Sequence, residues 1–495
     1  MTAYQQLERI FGRLAALGDA EGFLHWDSSV MMPPASAASR AEQIAALQSV
    51  RHEIITAEEM EELFNEVDNR GELTDWQAAN VREMRRRWRR QTALNADLVE
   101  ARAKASSACE SKWRDARPKG DFSLVKNELQ TLLDLVRESA QAFGDVLNCD
   151  PYDALLDQYT PGLKKEIVDP LFNRLAGELP GLLHRILEAQ GRRESANVPE
   201  GPFPIDAQRA LGQKLMAVIG FDFEMGRLDE SLHPFSGGTP DDLRITTRYE
   251  EGEFMSGLMG VLHETGHALY EKGLPKDWRL QPVGEARGMD IHESQSLLIE
   301  MQACRSLEFL TFASPLMQEA FGRSGPEWSP ENLYCVYTRV EPGLIRVDAD
   351  EVTYPMHVIL RYRLEQALLS GDLPLDDLPG AWNDGMKELL GLNPPDDRDG
   401  CLQDIHWFDG AFGYFPSYTF GALTAAQFFA AATETDGDIL PGIGRGDFKP
   451  LYRWLGENVH SQGSLLEAPE LIRQATGKNV DADIFLAHLE RRYLA

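Results

Sequence analysis

"GVLHETGHALYEKG" occupies residues 260–273 and sets His263 and His267 four apart, with Glu264 beside the first. On a helix, residues four apart lie on one face, one turn above the other. Both imidazoles can therefore turn ring nitrogens toward one ion. Glu264 stands about 100° further round the helix. That position suits contact with a water on the ion better than ligation, which is the physical content of an HExxH metal site. Phe254, Leu258, Val261, Leu262, Leu269 and Tyr270 give the segment an apolar side. Gly257, Gly260 and Gly266 each lower helix propensity by roughly 1 kcal/mol against Ala. Their presence predicts the close approach of another helix or of a substrate.

Such a pentapeptide arises by accident in roughly one chain in fifty of this length, so its reading depends on what else the chain supplies. Catalytic zinc takes three protein ligands and leaves a position open for water. A third histidine six residues after the second is absent, because position 273 is Gly273. The other common solution is a glutamate on a following helix. "GMDIHESQSLLIEMQ" (288–302) carries Glu293 at the head of a stretch with apolar Leu297, Leu298 and Met301. Glu300 lies on the same face, one heptad deeper. Asp290 and His292 are candidates to hydrogen-bond the ligands from behind, and His292 equally suits a helix start. The predicted metal ligands are His263, His267 and Glu293, with Glu264 as the base.

The chain has 495 residues, 43% of them hydrophobic, and a net charge of −30. That length holds a large core. With no repeat and no low-complexity linker, it predicts a single domain over 1–495, formed by two helical halves around a cleft. A surface so negative repels nucleic acid and anionic lipid, and excludes both as partners. The basic run in "VREMRRRWRRQ" (81–91) reads as a helix face paired with nearby acids. Cys109, Cys149, Cys304, Cys335 and Cys401 form no CxxC pair, so zinc ribbons and redox dithiols are not expected. "MTAYQQLERIFGRL" has no signal core, and no apolar stretch approaches a membrane span. A cytoplasmic location with reduced thiols is the expectation.

Helical periodicity dominates. It marks 3–18, a long helix over 75–115, and further helices at 121–147, 165–190, 206–219, 290–312, 355–370 and 420–433, with two more within 464–493. "NVPEGPFP" (197–204), "LHPFSGGTP" (232–240) and "GLNPPDDRDG" (391–400) read as loops. "LRITTRY" (243–249) is the best strand. The predicted fold is mainly α, with a short β-sheet lining the active site.

Six short motifs stand in order. They are "HPF" (233–235), Asp-x-Arg-x-Thr at Asp242, Arg244 and Thr246, the HExxH at 263–267, "HESQS" (292–296), "IRVDAD" (345–350) and "GCLQDIHW" (400–407). Together with "LHWDSSVMMPP" (24–34), this pattern resembles the carboxypeptidase Taq family of zinc metallocarboxypeptidases over nearly the whole chain. The resemblance implies a helical body split by a deep groove, similar to angiotensin-converting enzyme and neurolysin. It implies a homodimer with one zinc per subunit, replaceable by cobalt. It also implies release of single residues from peptide C-termini with broad side-chain tolerance and poor action on proline.

Peptide hydrolysis also needs a donor facing the developing oxyanion. By similarity to the family, His406 and Tyr418 are assigned there. Spacing alone leaves Tyr414 open. A free carboxylate at the end of the groove needs a cation, and Arg346 and Arg244, each inside a motif, suit it through paired hydrogen bonds. Their alternative is an ion pair with Asp348, Asp350 or Asp242. His233 is expected to shape the same end. A zinc endopeptidase would share every metal residue but leave its groove open. A non-catalytic helical binding protein would have no use for Glu264.

Overall fold

The computed structural model describes residues 1–70, 72–231 and 234–494. His233 therefore lies outside the described residues. The architecture is mainly helical with one small sheet, as expected. Among the described residues, no helix is long and apolar enough to cross a membrane.

The sheet has the order β1-β3-β2, formed by β1 (Gly226–Glu230), β2 (Phe235–Thr239) and β3 (Asp242–Thr247). β3 runs parallel to β1 and antiparallel to β2. It is the strand predicted from "LRITTRY", ending two residues earlier. β2 corrects the reading of 232–240 as loop alone. Gly238 there has φ +92, and a Cβ would meet the Asp242 carbonyl oxygen at 2.0 Å. Only glycine permits that turn, so a loop-like composition here encodes a hairpin. Leu243 and Ile245 of β3 pack with Val261 and Ala268, fixing the helix Met255–Gly273 against the sheet.

The rest of the core falls into two large clusters. One draws on helices between 109 and 186, between 340 and 426, and near residues 482–493. The other surrounds the Met255–Gly273 helix, the helix Ile205–Ile219 before it and the helices after it. The predicted helix over 75–115 is two helices, Asp75–Ala93 and Ala96–Ala116. Asn95 separates them, its side chain accepting from the Leu98 N–H at 2.8 Å as an N-cap. The predicted 3–18 helix continues to Val30. Five of the six arginines of the basic run are paired with acids as read: Arg82 with Glu83, Arg85 with Asp68, Arg86 with Glu83 and Glu467, Arg87 with Glu285, and Arg90 with Asp157. All five cysteines are free.

The region 290–312 is not one helix. An α-helix, Met289–Leu297, passes into a π-helical turn, Leu298–Cys304. The chain then breaks at Ser306, whose hydroxyl caps the helix Leu307–Phe321. π-turns gather at functional sites because they shift side chains round the axis. This one carries Glu300.

Candidate metal centre

The helices Met255–Gly273 and Met289–Leu297 cross at Gly266. A Cβ there would stand 2.5 Å from the Gln295 carbonyl oxygen and 2.7 Å from Ser296 Cα. The close approach predicted for the glycines is made at Gly266, and at Gly257 against the Arg248 carbonyl. It is not made at Gly260, which faces open space within 4 Å.

That crossing brings His263, His267 and Glu293 together. Each offers a ligand atom within 4.8 Å of the others, the only such group of three His, Cys, Asp or Glu side chains among the described residues. Glu293 Oε2 lies 3.8 Å from His263 Nε2 and 3.4 Å from His267 Nε2. Behind them, His263 Nδ1 lies 2.9 Å from Glu300 Oε2, and His267 Nδ1 lies 2.6 Å from His292 Nδ1. Both imidazoles are held from the rear with Nε2 forward. Burial opposes a charge on His263, but the Glu293 and Glu300 carboxylates outweigh it and lift its pKa to about 10. Burial holds His267 down to about 4, so it is neutral. Burial pushes Glu293 up, and the two histidines more than offset it, leaving it near 2. The donor set fits a divalent cation: two imidazole nitrogens, one carboxylate, and a field of acidic groups that draws positive charge to the point between them.

Glu264 projects beside this cluster and is buried. Burial raises its pKa, while Ser236 of β2 hydrogen-bonds its carboxylate. Its Oε2 has no partner. A buried carboxylate oxygen without a hydrogen bond is costly, and the Glu264 carboxylate interacts electrostatically with His263 and Glu293 of the cluster. Asp290 does not back the ligands. Its Oδ1 is buried without a partner, and burial pushes its pKa to about 6.

A cavity of about 1250 Å³ reaches this cluster. Its walls include Phe11, Asp19, Ser236, His267, Glu271 and His292.

His406, Tyr418, Tyr414 and Arg346 form a second group. His406 Nε2 lies 3.4 Å from the Tyr418 hydroxyl. Tyr414 packs edge-on against Tyr418, ring centroids 5.2 Å apart. The Glu293 charge raises the pKa of both tyrosines, secondarily to burial, so they share its surroundings. Burial lowers His406 to about 4. The Arg346 guanidinium lies 4.9 Å over the Tyr418 ring and donates to the Tyr354 hydroxyl at 3.2 Å. Its acid partner is neither Asp348 nor Asp350 but Asp404, at 2.8 Å. Asp404 also accepts from Arg361 Nε at 2.7 Å. The buried cluster thus holds two guanidiniums against one carboxylate. Arg244 stands apart from this group: it pairs with Asp242 at 2.8 Å and lies over Phe23 and Trp26.

Sequence reasoning missed Glu271, Asp404, Arg361, Tyr354 and Gly421. Glu271 carried a signal, standing one turn after His267 on the same face. Asp404 sits within the quoted "QDIHW". Gly421 carried none, yet a Cβ there would meet Glu293 Cγ at 2.7 Å.

Residues 6–493 match the family model described as carboxypeptidase Taq (M32) metallopeptidase. The chain is 40% identical to thermostable carboxypeptidase 1 of Thermus thermophilus, over 100% of this chain and 98% of that one. It is 33% identical to carboxypeptidase 1 of Bacillus subtilis, over 97% and 96%. Among solved structures, metallocarboxypeptidase 1 of Trypanosoma cruzi superposes with a TM-score of 0.98 at 40% identity, covering 100% of this chain and 99% of that chain.

Proposed function

The chain belongs to the carboxypeptidase Taq (M32) metallopeptidase family and is a metallocarboxypeptidase; on that premise we propose that its metal is zinc and that it releases single residues from the C-termini of varied peptides. We read it as one domain per chain, acting as a cytoplasmic homodimer with one ion per subunit, which cobalt can replace.

The observation that carries the site is the convergence of His263 Nε2, His267 Nε2 and Glu293, with the partnerless Glu264 oxygen beside them. When bound there, a divalent ion supplies a Lewis acid that acidifies water to near neutral pH and polarises the scissile carbonyl. Glu264 takes the water's proton and delivers it to the leaving amine. Its raised pKa suits both halves of that task. Tyr418 is kept protonated by burial and donates to the oxyanion, with His406 beside it. The His406 contact favours Tyr418 over Tyr414 in this role.

Arg346 receives the substrate carboxylate. The support is charge: Arg346 and Arg361 share one Asp404, leaving one positive charge uncompensated in a buried place. Arg244 has its own full partner in Asp242 and no such surplus.

The test is a peptide pair differing only in a free or amidated C-terminus. The free acid should lose residues singly from that end, and the amide should be cut much more slowly. Loss of one charge-assisted hydrogen bond corresponds to roughly 10–150-fold in kcat/KM. Arg346→Met should slow the free acid by that factor and leave the amide unchanged. Equal rates with internal fragments would make the enzyme an endopeptidase.

A further inference from the structure

Behind His267, two hydrogen bonds in series lead out to the groove. His267 Nδ1 lies 2.6 Å from His292 Nδ1, and His292 Nε2 lies 3.0 Å from Glu271 Oε1. Glu271 follows His267 by one helical turn, so its carboxylate sits on the same face. His292 comes from the crossing helix, one residue before Glu293. Side-chain exposure rises along the series from 11% at His267 to 17% at His292 and 32% at Glu271. His292 and Glu271 both line the large cavity.

Two protons must be placed on this series, which faces a carboxylate at either end: Glu271 at 3.0 Å from His292 Nε2 and Glu293 at 3.4 Å from His267 Nε2; the shorter, outer contact fixes both protons. A carboxylate only accepts hydrogen bonds. His292 Nε2 must therefore carry a proton, and neutral His292 then presents a lone pair at Nδ1. His267 must donate from its own Nδ1. That leaves His267 Nε2 unprotonated, and Nε2 is the nitrogen turned toward Glu293. The reverse order sets a His292 lone pair against the Glu271 carboxylate and a proton on His267 Nε2, where no metal bond can form. His263 is held differently, with Glu300 directly at its Nδ1 and Arg305 on Glu300 at 2.6 Å.

We propose that His292 and Glu271 are positioning residues for the metal: Glu271 sets the tautomer of His292, His292 sets that of His267, and a groove-facing carboxylate thereby governs how firmly His267 holds the ion. This rests on the metal-site reading above. It makes the two histidine ligands unequal. One is polarised by a carboxylate and the other by a neutral imidazole, whose own polarisation depends on a group exposed to whatever enters the groove.

The test uses the whole protein, first metal-free and then titrated with Zn2+ against a chromophoric chelator. His267→Ala is the reference for the metal site itself. His292→Phe should bind zinc 10–100-fold more weakly, the usual cost of removing a ligand's hydrogen-bond partner, with an unchanged circular dichroism spectrum. Glu271→Gln should weaken binding less. The double variant should be no weaker than His292→Phe alone, because Glu271 acts only through His292. His292→Gln, which can still accept from His267 and donate to Glu271, should recover part of the loss. In the metal-free wild type, 15N spectra of the imidazoles should show His292 protonated at Nε2 and His267 at Nδ1. Those spectra decide the matter even if a variant fails to fold. Zinc affinity unchanged in His292→Phe, additive losses in the double variant, or His267 protonated at Nε2 would each overturn the proposal. Undiminished zinc binding by His267→Ala would instead overturn the metal-site reading beneath it.

Discussion

Glu264 concentrates the chemistry at the residue scale. Its buried Oε2 lacks a partner, an arrangement that costs stability and accords with the proposed role of accepting a proton. Glu264→Gln keeps the size and removes the acceptor. Metal content by elemental analysis should stay near one per chain, while kcat falls by at least ~10²-fold, the low end for general-base catalysis. Turnover close to wild type would remove Glu264 from that role. The convergence of His263, His267 and Glu293 is legible in sequence, because two share a helical turn and the third heads the next apolar stretch. The groups behind them are less so. Asp404 serves Arg346 across 58 residues of chain and Glu300 serves His263 across 37. Neither separation is a helical period, so no local pattern announces the pair.

Among elements, the crossing of Met255–Gly273 over Met289–Leu297 sets the geometry of the site. Gly266 has no room for a methyl group, and Gly260, six residues earlier on the same helix, has open space. Gly266→Ala should destabilise by about 1–3 kcal/mol, as overpacking does. Gly260→Ala should stabilise by up to ~1 kcal/mol through helix propensity. Urea unfolding of both variants checks this, and equal shifts would mean the crossing is slack. The helices themselves are well marked by apolar spacing. Their interruptions are not: the π-turn at Leu298–Cys304 lies in a run whose apolar spacing still reads as α-helix. The Asn95 break lacks the proline or glycine that usually marks one. β2 hides in a glycine-rich segment because the feature that makes it a strand is pairing with β3.

At the scale of the whole molecule, buried carboxylates set the response to pH. Glu351 accepts from Gln302, His488, Arg492 and Tyr493, binding the terminal helix Ala482–Leu494 to the π-turn. Burial pushes its pKa up, but His488 and Arg492 outweigh that and hold it well below the carboxylate range. Its contribution is complete above the unfolded value near 4.5 and is lost as pH falls below it. Glu365 has the opposite sign. It accepts from Tyr152, Trp407 and the Gly413 N–H with no cation in contact, and burial lifts its pKa to about 7. The native state keeps a proton that the unfolded chain releases, so this contribution is complete below about 4.5 and lost as pH rises through 7. Glu351→Gln should cost about 3–5 kcal/mol at pH 7 by leaving buried Arg492 unpaired. Glu365→Gln should flatten the decline in melting temperature between pH 5 and 7. An unchanged slope would show that Glu365 does not titrate there.

The arginine helix Asp75–Ala93 has a consequence in time. Arg90 meets Asp157 67 residues later in the chain, and Arg86, which has Glu83 three residues before it, gains its second acid, Glu467, only 381 residues later. Ribosomes add about 5–20 residues each second, so roughly 20–75 s separate the synthesis of that guanidinium from that of its second partner. Through that interval the nascent protein carries a segment whose six arginines are only partly neutralised by the nearby Asp68 and Glu83. The burden of keeping that segment from anionic surfaces such as ribosomal RNA falls on the period of synthesis, and it ends only when the last tenth of the chain arrives.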